Sequence, residues 1–125
     1  MRLFSRKPKA LRKLEPRQRL SLVTAQAHIA LLDLGDTPEE VYETLRTAGI
    51  KGRRLSPGAC PVSRYLQSFK GADWVSVGVT SATLFVKDQQ AEVRVPLPVQ
   101  AFISSFDACA PARYADICEK KLSDA

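Results

Sequence analysis

One residue in this chain has the setting of an activated nucleophile. Cys60 stands just before Pro61 in G-A-C-P-V-S-R-Y-L, the position that caps a helix beginning with proline. Unpaired amide N–H groups and the helix dipole at such a point favour a thiolate. Arg53, Arg54 and Arg64 lie close by in sequence and add to the effect. A cysteine nucleophile also needs a base. The chain holds a single histidine, His28, and no spacing brings it to Cys60. A small side chain packed at a helix start explains Cys60 as well, and that structural reading is preferred. Cys60 remains the one catalytic candidate, and the expectation is that the protein is not an enzyme.

The other reactive groupings are incomplete. Cys60, Cys109, Cys118 and His28 would give four zinc ligands, but no C-x₂₋₄-C pair occurs, so no metal site is expected. The stretch G-I-K-G-R-R has glycines and bases without the strand–loop–helix setting of a phosphate-cradling loop. No acidic pair stands out for general acid–base work. No cofactor is expected.

Charge is the strongest signal. Residues 1–19 hold Arg2, Arg6, Lys7, Lys9, Arg12, Lys13, Arg17 and Arg19 against the single acid Glu15, a net +7. The rest of the chain carries 11 bases and 12 acids. Within it, residues 44–72 contain Arg46, Lys51, Arg53, Arg54, Arg64 and Lys70 and no acid. Clustered Lys and Arg neutralise backbone phosphates and release counterions, which suits sequence-independent nucleic-acid binding. The anion-binding candidates are therefore the eight bases of residues 1–19 together with Lys51, Arg53, Arg54 and Arg64. A solvated basic face is the plain alternative.

These residues need elements to hold them. Residues 1–14 read as a flexible basic arm, rich in charge and broken by Pro8. Residues 15–125 read as one domain. Pro16 suits the start of a first helix, with Leu20, Val23, Ala27, Ala30, Leu31 and Leu34 on one face and Gly35 as its stop. Thr37, Pro38 and Glu40 predict a capping box opening a second helix, with Val41, Leu45 and Ala48 inward. Pro61 opens a third, with Val62, Tyr65, Leu66 and Phe69 on its apolar face. Alternation over 74–80, 82–87 and 91–95 predicts three short antiparallel strands. Val99, Phe102, Ile103 and Phe106 predict a fourth helix, and Tyr114, Ile117, Cys118 and Leu122 a fifth. The fold class is α+β: three N-terminal helices, a small three-stranded antiparallel meander and two C-terminal helices.

No apolar run approaches the ~20 residues that cross a bilayer. The charged N-terminus has no uninterrupted apolar stretch behind it. An odd cysteine count argues for reduced thiols. The expected location is the cytoplasm.

The segments G-A-C-P-V-S-R-Y-L (58–66) and V-P-L-P-V-Q-A-F-I-S-S-F-D (95–107) resemble small actinobacterial and actinophage proteins of unknown function. That group carries a C-P-[apolar]-[Ala/Ser]-R-Y-L segment and a later V-x-x-F-x-x-x-F-D segment. The resemblance spans roughly residues 38–117 and implies a shared fold and an actinobacterial or phage origin, but no activity. It draws interest to Cys60, Pro61, Arg64, Tyr65 and Asp107.

Three functions follow as expectations. The first is a non-enzymatic accessory or regulatory protein whose basic surface contacts nucleic acid. The second is a protein–protein module that captures an acidic partner. The third is a thiol-dependent enzyme centred on Cys60. Contact of residues 1–14 with an anionic membrane surface, through Leu3, Phe4, Leu11 and Leu14, ranks below these.

Overall fold

The first helix, α1 (Pro16–Asp33), begins where Glu15 caps it. The Glu15 carboxylate accepts from the Gln18 amide, and Gln18 Oε1 accepts from the Glu15 N–H at 3.2 Å. Leu20, Val23, Ala27, Ala30, Leu31 and Leu34 are all buried, as their three-and-four spacing requires. This computed structural model describes residues 14–119. The expected arm, apart from Leu14, and Leu122 lie outside that range.

Helix α2 (Pro38–Thr47) is capped by Thr37, whose Oγ1 accepts from the Glu40 N–H at 3.1 Å. The capping box closes differently from expectation: the Glu40 carboxylate reaches back to the Asp36 N–H (2.7 Å) rather than to Thr37. Its inward residues are Val41, Tyr42 and Leu45, whereas Ala48 is exposed. Tyr42 takes the inward place because the tyrosine body packs while its hydroxyl reaches a carboxylate. Helix α3 (Pro61–Gln67) is shorter than its apolar pattern suggests. Val62 and Leu66 are buried, Tyr65 is half-buried, and Phe69, past the helix end, is exposed.

Strands β1 (Trp74–Val77), β2 (Ser81–Val86) and β3 (Gln89–Arg94) form one antiparallel sheet in the order β1-β2-β3. β1 stops before Val79, which sits in the connecting turn and is exposed. Register places Val75, Leu84 and Ala91 in one row and Val77, Ala82 and Val93 in the next, all on the inner face. Helix α1 packs on that face against β2 and β3, and α3 packs against β1. The other face carries Trp74, Phe85 and Gln90, then Ser76, Thr83 and Glu92, each half-buried or exposed. Alternation dictates this division, since successive side chains in a strand point to opposite faces.

Helix α4 (Leu97–Asp107) buries Val99, Phe102, Ile103 and Phe106 and packs against α2. The expected fifth helix is a short 3-10 turn, Ala112–Ile117. Within it Tyr114 and Ile117 are buried while Cys118, just beyond, is half-buried. Six residues leave room for little more than one docking contact, and aromatic packing supplies it. The Tyr114 ring stacks on Tyr42 with centroids 4.9 Å apart and meets Phe102 at 5.2 Å. The Tyr42 hydroxyl donates to Asp116 at 2.9 Å, and Arg113 pairs with Glu39. The buried residues form one continuous cluster, and the fold is α+β with helices on both sides of the meander in sequence.

Candidate nucleic-acid interface

The chain between α2 and α3 crosses the body as a loop and touches the C-terminal segment. Gly52 N–H donates to Ile117 O (2.9 Å), and Glu119 N–H donates to Gly52 O (2.7 Å), an isolated parallel bridge. That pairing sets Glu119 between two arginines. Arg53 Nε lies 3.0 Å from Glu119 Oε1 and Arg64 Nη1 lies 2.8 Å from Oε2. The Arg64 guanidinium beside it, then that of Arg53, holds the Glu119 carboxyl down to about 2, well below the ordinary carboxylate range. Arg54 turns the other way and donates to the backbone carbonyl of Asp107 at 2.9 and 3.0 Å. The Asp107 carboxylate accepts from the Leu55 N–H at 2.9 Å.

The structure thus gathers Arg53, Arg54 and Arg64 in one region, as the sequence suggested, but it also brings acids to them. Arg46 pairs with Glu43 one turn earlier in α2. Lys51, Arg54 and Lys70 of this group are exposed and free of an ion pair among the described residues, and of these Arg54 is held by the Asp107 carbonyl. A stretch acid-free in sequence is not acid-free in space. Exposed pairs of this kind add little stability, but they occupy the donors a phosphate would use.

Of the arm's bases, Arg2, Arg6, Lys7, Lys9, Arg12 and Lys13 lie outside the described residues. Arg17 is exposed on the first turn of α1. Arg19 runs inward, and its Nη2 reaches Asp73 Oδ2 at 3.5 Å, with only 14% of its side chain exposed. Asp73 also accepts from the Lys87 N–H (2.7 Å), and its own N–H donates to Phe85 O (2.8 Å). The start of α1 is therefore fixed to the end of the sheet that carries Trp74 and Phe85.

Cys60 caps α3 as expected, its Sγ accepting from the Ser63 N–H at 3.4 Å. It is 4% exposed. Burial pushes the thiol pKa up and outweighs the lowering by the Ser63 and Val62 amides. The helix-start effect expected from the sequence is present but loses to desolvation. His28 points out from α1 and is exposed. Cys109 is exposed and Cys118 half-buried, and all three thiols are free. Among the described residues, no three His, Cys, Asp or Glu side chains come together as a metal site. An open acidic hollow of about 350 Å³ lies between the end of α1 and α2, lined by Asp33, Glu39, Glu40 and Glu43. Three of those carboxylates are already engaged, by Arg113, the Asp36 N–H and Arg46.

Two surfaces were not anticipated. One is the outer sheet face with Trp74. The other is the side of α1 away from the core, where Leu22, Ile29 and Leu32 are 38%, 58% and 52% exposed. Their spacing of seven and three was readable, for a helix apolar on two sides has more than a core to satisfy. No helix among the described residues is long and apolar enough to cross a membrane. No protein-family model, curated protein or solved structure matches this chain.

Proposed function

We propose that this chain is a small non-enzymatic accessory or regulatory protein that contacts nucleic acid through its basic N-terminal segment. The observation that carries this reading is the net +7 of residues 1–19. That charge is rooted at Arg17 and Arg19 beside the sheet end, while the second basic cluster is largely engaged by Glu119, Glu43 and the Asp107 carbonyl. The phosphate-contacting role falls mainly on residues 1–19, with Lys51 and Lys70 as secondary contacts. A buried thiol with a raised pKa and an outward histidine count against the thiol-enzyme reading.

Titration of a mixed-sequence duplex by the full chain at several salt concentrations tests the proposal. With about six phosphates neutralised, log K falls against log[salt] with a slope of roughly −5. Charge reversal of Arg12 and Lys13 flattens it by about two contacts and weakens all sequences alike, because phosphate contacts carry no base information. Absence of salt-sensitive binding to DNA or RNA at low ionic strength would overturn it.

The runner-up is a protein–protein module. The exposed Leu22, Ile29 and Leu32 favour it, since such a stripe suits a helix or groove of another protein. An acidic partner would meet the same basic arm, and binding would then persist at ~0.15 M salt on the strength of the apolar contact.

A further inference from the structure

We propose that helix α1 pairs with α1 of a second copy of this chain, the two running antiparallel about a twofold axis at the level of Ala27. The inference names an occupant for the apolar stripe on α1. It stands whether or not residues 1–19 contact nucleic acid.

The stripe is more than its three large members. Leu22, Ala25, Ile29 and Leu32 are all exposed, and they follow one another at spacings of three, four and three. Gln18, also exposed, extends the run by one step of four. This is the a/d alternation by which one helix seats on another. At about 100° per residue these positions lie opposite Leu20, Val23, Ala27, Ala30, Leu31 and Leu34, the residues that face the core. Helix α1 therefore carries two apolar faces, and the sheet takes only one of them.

The order of the side chains suits a copy of itself. Leu-Ala-Ile-Leu reads Leu-Ile-Ala-Leu in reverse. An antiparallel pair centred on residue 27 sets Leu22 against the partner's Leu32 and Ala25 against the partner's Ile29. Each contact then occurs twice, as a twofold interface demands. Ile29 enters beside an alanine, so two helices can approach without a clash or a void. A parallel pair would set Ala25 against its own copy between two bulky layers and leave a gap there, which costs stability.

Charge points to the same orientation. The N-terminal end of α1 carries Arg17 and Arg19 against Glu15. Its C-terminal end runs into Asp33, Asp36, Glu39, Glu40 and Glu43, with no base from 33 to 43. Asp33 and Asp36 are exposed and free of an ion pair among the described residues. Antiparallel pairing lays the basic end of each helix near the acidic end of the other. Parallel pairing would lay like on like, which disfavours association.

Four layers make a small contact, at the low end of interface sizes, so the pair forms and dissociates with concentration. Sedimentation equilibrium of the full chain, freed of nucleic acid, is measured from about 5 to 500 μM, a range that brackets micromolar affinity. The expected mass rises from 13.8 kDa toward twice that value. Ile29→Ser with Leu32→Ser stays at the single-chain mass throughout, a loss of about 10-fold or more in affinity. Circular dichroism shows that this variant keeps its fold, since both side chains are exposed. Asp33→Arg with Asp36→Arg weakens the dimer about 3- to 10-fold at low salt and less at high salt. For orientation, Leu22→Cys and Leu32→Cys chains are mixed and oxidised with glutathione disulfide. Peptide mapping then finds residue 22 joined to residue 32. A parent chain that is monomeric over the whole range would overturn the proposal and leave the stripe to a different protein. A dimer that survives the double serine substitution would overturn it too. A link from 22 to 22 in place of 22 to 32 would overturn the antiparallel arrangement.

Discussion

Substitution of Gly52 by alanine separates a backbone constraint from a merely tight surface. A Cβ at residue 52 would lie 2.3 Å from Pro61 N, 2.5 Å from Cys60 C and 2.6 Å from Pro61 Cδ. These are backbone and ring atoms at the start of α3, and none can swing aside. The loop must therefore move away from Cys60 and Pro61, and that movement breaks the two hydrogen bonds from Gly52 to Ile117 and Glu119. Each is worth about 1 kcal/mol net, and overpacking of a filled site adds about 1–3 kcal/mol. The sum is a loss of at least about 3 kcal/mol. With an unfolding entropy near 2.1 cal/mol/K per residue, a domain of this size then melts roughly 13 °C lower. Gly58→Ala is the control. Its Cβ would also fall at a forbidden distance, but from the half-exposed Trp74 ring, which can rotate. That variant loses about 1 kcal/mol or less and shifts the tryptophan emission. Calorimetry and denaturant titration of both variants decide the matter. A Gly52→Ala protein within about 1 kcal/mol of the parent would refute the reasoning, because the loop would then have room that the distances deny it.

Three further outcomes follow from the described contacts. The Glu119 carboxyl titrates near 2 in the folded protein instead of at its ordinary 4.5. Stability from its ion pairs is thus complete above the unfolded pKa and is lost as pH falls through about 2; Glu119→Gln removes that part of the pH dependence, as acid-unfolding curves of the two proteins will show. Thiol labelling under native conditions modifies Cys109 first and Cys118 more slowly, with Cys60 reacting only on the timescale of unfolding; mass spectrometry of quenched samples gives the order, and early modification of Cys60 would revive the enzyme reading. Ile29→Ser with Leu32→Ser changes stability by less than about 1 kcal/mol, since both side chains are already half in water; a protein partner that docks on α1 loses its binding in the same variant, measured by calorimetric titration.

Local signals with one physical cause were legible in the sequence. Thr37-Pro38 and Cys60-Pro61 each mark a helix start because a proline at the first position leaves no amide to satisfy. The buried faces of α1 and α4 follow from spacing alone. Failures fell where a distant part of the chain decides the outcome. Ala48 sat on the expected stripe of α2, yet Tyr42 took the inward place because Tyr114 and Asp116, more than seventy residues away, receive its ring and its hydroxyl. The bases of residues 44–72 stand apart from acids in sequence because the groups that engage Arg53, Arg54 and Arg64, the Glu119 carboxylate and the Asp107 carbonyl, come from the far end of the chain. From the sequence Trp74 and Phe85 mark only strand positions. Alternation assigns them to the face opposite Val75 and Leu84, but which face is solvated depends on where α1 packs.

The layering of the fold bears on the two leading functions together. Helix α1 covers the inner face of β2 and β3 with Leu20, Val23, Ala27 and Leu31. Its exposed stripe, Leu22, Ile29 and Leu32, lies on the opposite side of the same helix, about half a turn from the core-facing residues. The outer sheet face and the stripe therefore point away from one another, with the sheet and one helix between them. Ligands on the two would not collide. Both surfaces are nonetheless tied to the same rod, because Arg19 on the first turn of α1 holds Asp73 at the end of the sheet. Loss of a protein partner in the Ile29→Ser, Leu32→Ser variant, with salt-sensitive nucleic-acid binding unchanged, would separate the stripe from the basic segment.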